Sequence, residues 1–359
     1  MNEIERTMPL DGVTGLEVKL HCGNLTIKTE EREDLWLRAQ SRGDLQLERD
    51  LQIERQGDRV FIRQAPLSWF GMGRSGAIDL QLRLPSGRPW QVKGEIGQGE
   101  VTVSDLEGGL RVKTGQGEAQ VTSFRGQLTV NLGQGDAALS RISGPIKAAV
   151  GQGDICLQGW QGEGEDGCSL KCSAGTVEVI EATGPRLEAS SAMGDCLLRD
   201  VRLPHLRAET SKGDVTCDGE PGNGRWVLKT ALGDVTLTLP ADANVRINAV
   251  TSLGEIRSEF PLVQVGRQGP MGLLGGRMVG AIGQEAAQTE IELATAKGDI
   301  RLQARRPRPS APPSAAAAPS PEPPAADDVD AARLQVLEAL SRGELSVEEA
   351  EELLQRLGI

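Results

Sequence analysis

The residues that could do chemistry recur in a row. Gly followed by an acid stands at Gly99-Glu100, Gly117-Glu118, Gly135-Asp136, Gly153-Asp154, Gly194-Asp195, Gly213-Asp214, Gly233-Asp234 and Gly254-Glu255, and Gly175-Thr176 keeps the frame without the acid. If such corners stack, Glu100, Glu118, Asp136 and Asp154 form a line of carboxylates at a spacing of about 4.8 Å. A line of that kind could hold divalent cations, or serve a lyase once a basic residue is added. The thiols are a second candidate: among Cys22, Cys156, Cys168, Cys172, Cys196 and Cys217, the pair Cys168 and Cys172 has the spacing of half a zinc site. Histidine supplies only His21 and His205, neither near a Ser-containing elbow.

Each candidate has a plainer reading. Asp and Glu exchange freely along the row, whereas a metal or catalytic geometry distinguishes them, so solvated corners are expected. Calcium repeats of the toxin type need a nine-residue period, half the one seen here. Counted back from Gly175, Cys168 and Cys172 share a parity with Leu170. Cys196 and Cys217 take inward positions after Gly194 and Gly213, and only Cys156 within the repeat falls on the outward parity. Most of these thiols read as small buried hydrophobes. The expectation is no catalytic residue, no metal and no cofactor.

The elements that would carry the row follow from its period. The first four corners are 18 residues apart and later ones 19 to 22. Half a period away lies a second extended run, such as Leu110-Arg111-Val112 or Leu128-Thr129-Val130. After each glycine the second and fourth residues are mostly apolar, as in Val101 and Val103 or Val235 and Leu237, which buries one side of a strand. A parallel β-solenoid and a sandwich of hairpins both suit this alternation; the constant step favours the solenoid, because every corner then stacks on its equivalent. Gly99, Gly117, Gly135, Gly153, Gly194, Gly213, Gly233 and Gly254 are its structural turns. Residues 14–62 read as further strands, capping the stack or starting it. The stretch 65–77, with Trp69 and Phe70, reads as an irregular covering loop, and 264–287 breaks the period before a last unit at Gly298-Asp299.

The chain of 359 residues carries a net charge of −12, contains 45 glycines and only 3% aromatics, and has no tyrosine. Such acidity argues against nucleic acid, which needs a basic face. No run approaches the length of a membrane-spanning helix. The polar start, Met1 to Leu10, has no apolar leader, and with the unpaired thiols this points to a cytoplasmic location.

Composition changes at the end of the repeat. Residues 305–326 hold eight of the 19 prolines among clustered alanines. The expected domains are a β-solenoid over 1–303, a Pro/Ala-rich disordered linker over 304–327 and a helical hairpin over 328–359. The hairpin is expected from Leu334, Leu337 and Leu340 on one helix, Gly343 as its stop, and a Ser346/Glu349 capping box before Leu353, Leu354 and Leu357. Two such short helices need a surface to pack on, whether another copy, a partner or the solenoid that they would then cap. Leu337, Leu340, Leu353, Leu354 and Leu357 therefore form the expected interaction face, for self-association or a protein partner.

The layout Leu80-Gln-Leu-Arg-Leu-Pro85, Gly99-Glu-Val-Thr-Val and Gly109-Leu-Arg-Val-Lys-Thr-Gly-Gln-Gly-Glu118 resembles the bacterial adhesin-labelled β-solenoid family of domain of unknown function 4097 (DUF4097). Lys229 to Pro240 and Thr251 to Ile256 carry the same resemblance, which covers about residues 14–303. Residues 337–354 look like a short C-terminal oligomerisation (SHOCT-like) hairpin. The fold class expected is all-β, a parallel solenoid plus a small C-terminal α-hairpin. The resemblance implies no catalytic residues. It implies a non-enzymatic scaffold, a cytoplasmic adaptor in the envelope stress response; the alternatives are a surface adhesin-like protein and, further off, a polysaccharide-active β-helix enzyme.

Overall fold

A computed structural model describes residues 2–65, 76–165, 167–265, 275–283 and 289–305. These belong to one compact unit, Met1–Arg305.

Alternating apolar positions build two parallel sheets back to back, each rung contributing one strand to each. The front sheet runs through Gly15–Cys22, Trp90–Gln98, Glu107–Gln116, the second half of Ala119–Gln134, Ile146–Gln152, Gly167–Ala174 and Arg186–Met193, and continues through the second halves of Cys196–Lys212 and Val215–Leu232. The back sheet runs through Leu25–Glu30, Val101–Ser104, the first half of Ala119–Gln134, Ala137–Ser143, Ile155–Gln161 and Val177–Thr183. Val101, Ala119, Ala137 and Ile155 lie opposite one another in parallel register and are all buried. The space between the sheets is filled by Val, Leu, Ile, Ala and Cys, with Phe124, Trp160 and Trp226 fully buried. The indole N–H groups of Trp160 and Trp226 donate to Gly144 O (2.8 Å) and Leu203 O (2.9 Å), so neither ring leaves a polar atom stranded.

Rung order departs from chain order at both ends. Gly15–Cys22 lies between Trp90–Gln98 and Arg59–Gln64, so the second rung in sequence is outermost in space. Likewise Thr289–Lys297 slips between Val215–Leu232 and Val245–Leu253. Three of the sheet edges are closed by antiparallel strands. Asp34–Gly43 covers Gly76–Pro85 and is itself covered by Glu3–Pro9, Leu51–Gln56 covers Arg59–Gln64, and Gly276–Ile282 covers Val245–Leu253. Their Glu, Arg and Pro residues discourage further pairing.

The sequence reading needs correction at the C-terminus. The one helix among the described residues is the single turn Leu47–Asp50, so the described fold is all-β and the expected α-hairpin is not part of it. The SHOCT-like assignment and the contact face at Leu337, Leu340, Leu353, Leu354 and Leu357 fall outside the described residues. With no hairpin among the described residues, the assignment of self-association or partner capture to it is withdrawn. Among the described residues no helix is long and apolar enough to cross a membrane.

Candidate binding face

The row of corners lies where each front strand ends and the next back strand begins. Gly99, Gly117, Gly135, Gly153, Gly194, Gly213, Gly233 and Gly254 all have φ between +120° and +151°. At Gly117 a Cβ would also collide with the carbonyl oxygen of Gly99 one rung below, so conformation and space both select glycine.

The acids beside them are not merely solvated. Asp136 Oδ1 accepts the backbone N–H of Asp154 at 2.8 Å, and Asp154 Oδ1 that of Thr176 at 2.7 Å. Asp195, Asp214, Asp234 and Asp299 repeat the contact with the next rung at 2.8 to 2.9 Å. Asn24 does the same for Glu100 at 3.0 Å. Glu100 and Glu118, one methylene longer, make no such bond among the described residues. Asp and Glu are thus distinguished along the row, by capping of the backbone. Among the described residues no group of His, Cys, Asp and Glu is arranged to hold a metal ion.

The thiols follow their parity. Cys168, Cys172, Cys196 and Cys217 are buried, Cys156 is half-buried, and none of the six is in a disulfide. Burial raises the Cys168 and Cys217 thiols far above their ordinary range and pushes Cys196 up to about 12. A thiolate, the form a metal binds, is disfavoured at each.

Chemistry that can reach a ligand lies instead on the outward face of the front sheet. Parallel register lines up Arg186, His205 and Arg225 on three consecutive rungs. Two residues on, Glu188, Arg207, Val227 and Glu292 form the next column. All of these side chains except Glu188 border an open depression of about 430 Å³ that also includes Glu209 and Lys229. Glu292 accepts ion pairs from Lys229 (2.7 Å) and Arg225 (2.8 Å), which hold its carboxyl below the usual range, Lys229 most strongly. Arg207 pairs with Glu209 at 2.9 Å, a contact that raises the guanidinium further, and Arg186 pairs with Glu188. Each arginine keeps N–H groups that its carboxylate does not use. The cluster can therefore hold a planar anion while remaining internally balanced. Neither its columns nor its depression was foreseen; the 19- and 20-residue spacings of Arg186, His205 and Arg225 were the available signal.

Residues 166–303 match the family model described as Toastrack DUF4097. No curated protein matches the chain. Among solved structures, the chain is similar to an inferred cell adhesion protein from Clostridium sporogenes, at 12% identity over 85% of this chain and 99% of that one, with a TM-score of 0.25. An inferred adhesin from Bacteroides fragilis matches at 12% identity over 84% and 97%, with a TM-score of 0.32. One from Parabacteroides merdae matches at 9% over 84% and 95%, with a TM-score of 0.36. The match to the Toastrack DUF4097 model accords with a structural, binding role and not with an enzymatic one. The cytoplasmic placement is withdrawn. It rested on the polar first residues and on the unpaired thiols, and neither of these locates the protein. The envelope-stress adaptor falls with it, having relied on the same placement and on the hairpin.

Proposed function

We propose that this protein is a non-enzymatic binding protein of the surface-adhesin kind, which holds its partner on the outward face of the front sheet. The observation that carries the reading is the in-register ledge of Arg186, His205 and Arg225 beside an open depression. A parallel stack sets such side chains at a fixed interval of about 4.8 Å. The backbone beneath them is hydrogen-bonded on both sides, so little ordering cost remains on binding. A flat, rigid, repetitive face suits an extended or surface-bound partner better than a small molecule, which calls for an enclosing cavity. The adhesin descriptions of the similar structures point the same way, but at those TM-scores the reading rests on the face alone.

Adhesion is the direct test. Beads coated with the full chain are expected to be retained on cell monolayers above albumin-coated beads, and R186E/R225E is expected to reduce retention with unchanged melting. A membrane-impermeant amine label should reach the protein on intact producing cells. Retention equal to albumin, or labelling only after lysis, would overturn the reading.

A further inference from the structure

The front sheet carries a second charged region that the arginine–histidine cluster does not include. Arg111 and Lys113 sit on Glu107–Gln116, Lys147 lies two rungs on, and Lys171 one rung beyond that. All four are exposed, and none forms an ion pair among the described residues. On the outward positions between Glu95 and Glu188 the only carboxylate is Glu107, at the corner where its strand begins and opposite Arg125 in register. On the neighbouring rungs most cations are paired: Lys93 with Glu95 at 2.9 Å, Lys19 with Glu95 at 3.2 Å, and the cluster described above. In a chain of net charge −12, an unpaired positive strip is the exception.

A recess adjoins the strip. Gly109 bears no side chain, so the Gln91 amide lies over it, where a Cβ would collide with Gln91 Oε1. Beside them opens a depression of about 200 Å³, with Arg59, Lys93 and Arg111 at its rim and Gln91, Gln127 and Thr129 in its wall; the one carboxylate that lines it, Glu17, is paired with Lys19 at 3.4 Å and Lys93 at 3.9 Å. Two amides and a hydroxyl give donors and acceptors in both senses. Between the remaining cations stand Asn131 and Ser169, again small and hydrogen-bonding.

We infer that this strip binds a linear anionic polysaccharide, with one acidic sugar in the recess at Gly109 and the chain running along the solenoid axis over Lys147 and Lys171. The inference rests on the front-face binding reading and names its ligand class. Rung spacing puts Arg111 and Lys147 about 10 Å apart and Lys113 and Lys171 about 14 Å apart. Carboxylate or sulfate groups along a sugar chain meet cations at such intervals, while hydroxyls meet the amides and hydroxyls between. A single-stranded nucleic acid would seek aromatic platforms, and the strip has none. A flat anionic membrane would press equally on Glu95 and Glu188, which border the strip.

The test uses the full chain against heparin as a sulfated polysaccharide, polygalacturonate as a carboxylated one, neutral dextran, a thymidine oligonucleotide and phosphatidylserine vesicles. Binding to heparin or polygalacturonate is expected, weakening with salt, and the tighter of the two identifies the anion. R111E/K147E should weaken it about tenfold or more, and R111Q/K147Q by less, both with wild-type melting. K212E/K297E, with the same charge change on the corner row, should weaken it no more than about twofold. Equal losses in the two reversal variants would reduce the effect to net charge and overturn the inference. So would oligonucleotide or vesicle binding as tight as polysaccharide binding, or no polysaccharide binding at physiological salt. Beads that still adhere while polysaccharide binding is absent would remove this ligand class and leave the adhesin reading standing; loss of both would remove both.

Discussion

From Trp90 to Gln152 each corner reads Gly-Gln-Gly; from Cys172 to Asp299 it reads a small hydroxyl or thiol, two variable residues and Gly, most often followed by Asp. The two halves solve one problem, joining each rung to the next at the same corner, with different atoms. In the first half the glutamines stack outside: Gln98, Gln116, Gln134 and Gln152 link amide to amide at 3.0, 3.2 and 3.0 Å. Their leading glycines approach the rung below, so that a Cβ on Gly115 would lie 2.6 Å from Gly97 O. In the second half the link moves inside. The hydroxyls of Ser191, Thr210 and Thr230 each donate to a glycine carbonyl of the preceding rung at 2.8 Å, and Thr295 does so at 2.9 Å. Asp adds its bond to the next backbone N–H. The outer position is thereby released from the ladder and carries Met193, Leu232 and Leu253, which are 58%, 50% and 45% exposed. A side chain is free to vary where another has taken over the corner hydrogen bonds.

Substitutions can break this comparison. The largest effect should come from the glycine both halves share. Gly117→Val meets a positive φ and a carbonyl, and should cost about 3 kcal/mol; an unchanged denaturation midpoint would remove the steric account of the corner. Next comes the leading glycine peculiar to the first half. Gly133→Ala should cost about 2 kcal/mol through its close approach to Gly115 O. Ala231→Gly, at the equivalent place in the second half, should cost less than about 1 kcal/mol. Equal losses would mean the halves are packed alike.

A smaller and more diagnostic pair concerns threonine. Thr210 makes the buried hydroxyl bond of the second half, and Thr210→Val should cost about 1 kcal/mol. Thr114 stands in the first half, 2% exposed, with its hydroxyl unpartnered. Thr114→Val should be neutral or stabilising, because it removes a buried polar atom without a bond. Matching losses in urea melts would show that Thr114 has a partner and that the halves do not differ in this respect. Asp214→Ala belongs to the same size class, at about 1 kcal/mol for the lost cap on Asp234 N–H. Glu118→Ala, with no such bond, should be silent, and a cost equal to that of Asp214→Ala would contradict the distinction between the two acids. The smallest effect is expected at Gln116→Ala. It severs two amide links, but both are open to water, so the loss should stay below about 0.5 kcal/mol. A drop comparable to that of Gly133→Ala would make the glutamine ladder, and not close backbone approach, the principal link of the first half.

Much of the repeat was readable in the amino-acid order. An 18-residue step with alternating parity places Val101 opposite Ala119 and Ala119 opposite Ala137, because identical spacing leaves one register in which every apolar residue faces inward. The parity of Cys168 and Cys172 is a consequence of the same rule. The corner chemistry was half readable. Glycine could be placed, but the difference between Asp136 and Glu118 depends on how far a carboxylate reaches toward the next rung, and that distance exists only once rungs are stacked.

What tertiary structure alone decided is which rungs are neighbours. Near the ends the connections are long enough to pass over a rung, and local pattern does not say on which side the chain returns. Thr289–Lys297 inserts before Val245–Leu253, and so Glu292 meets Arg225, 67 residues away in sequence. The same applies to the face. Arg111, Lys147 and Lys171 are ordinary exposed cations in the sequence, and they become a strip without paired acids only because parallel stacking aligns their rungs. Period and parity are properties of neighbouring residues, so the order of amino acids determines them. A column of charges is a property of rungs that meet, and only the folded stack brings them together.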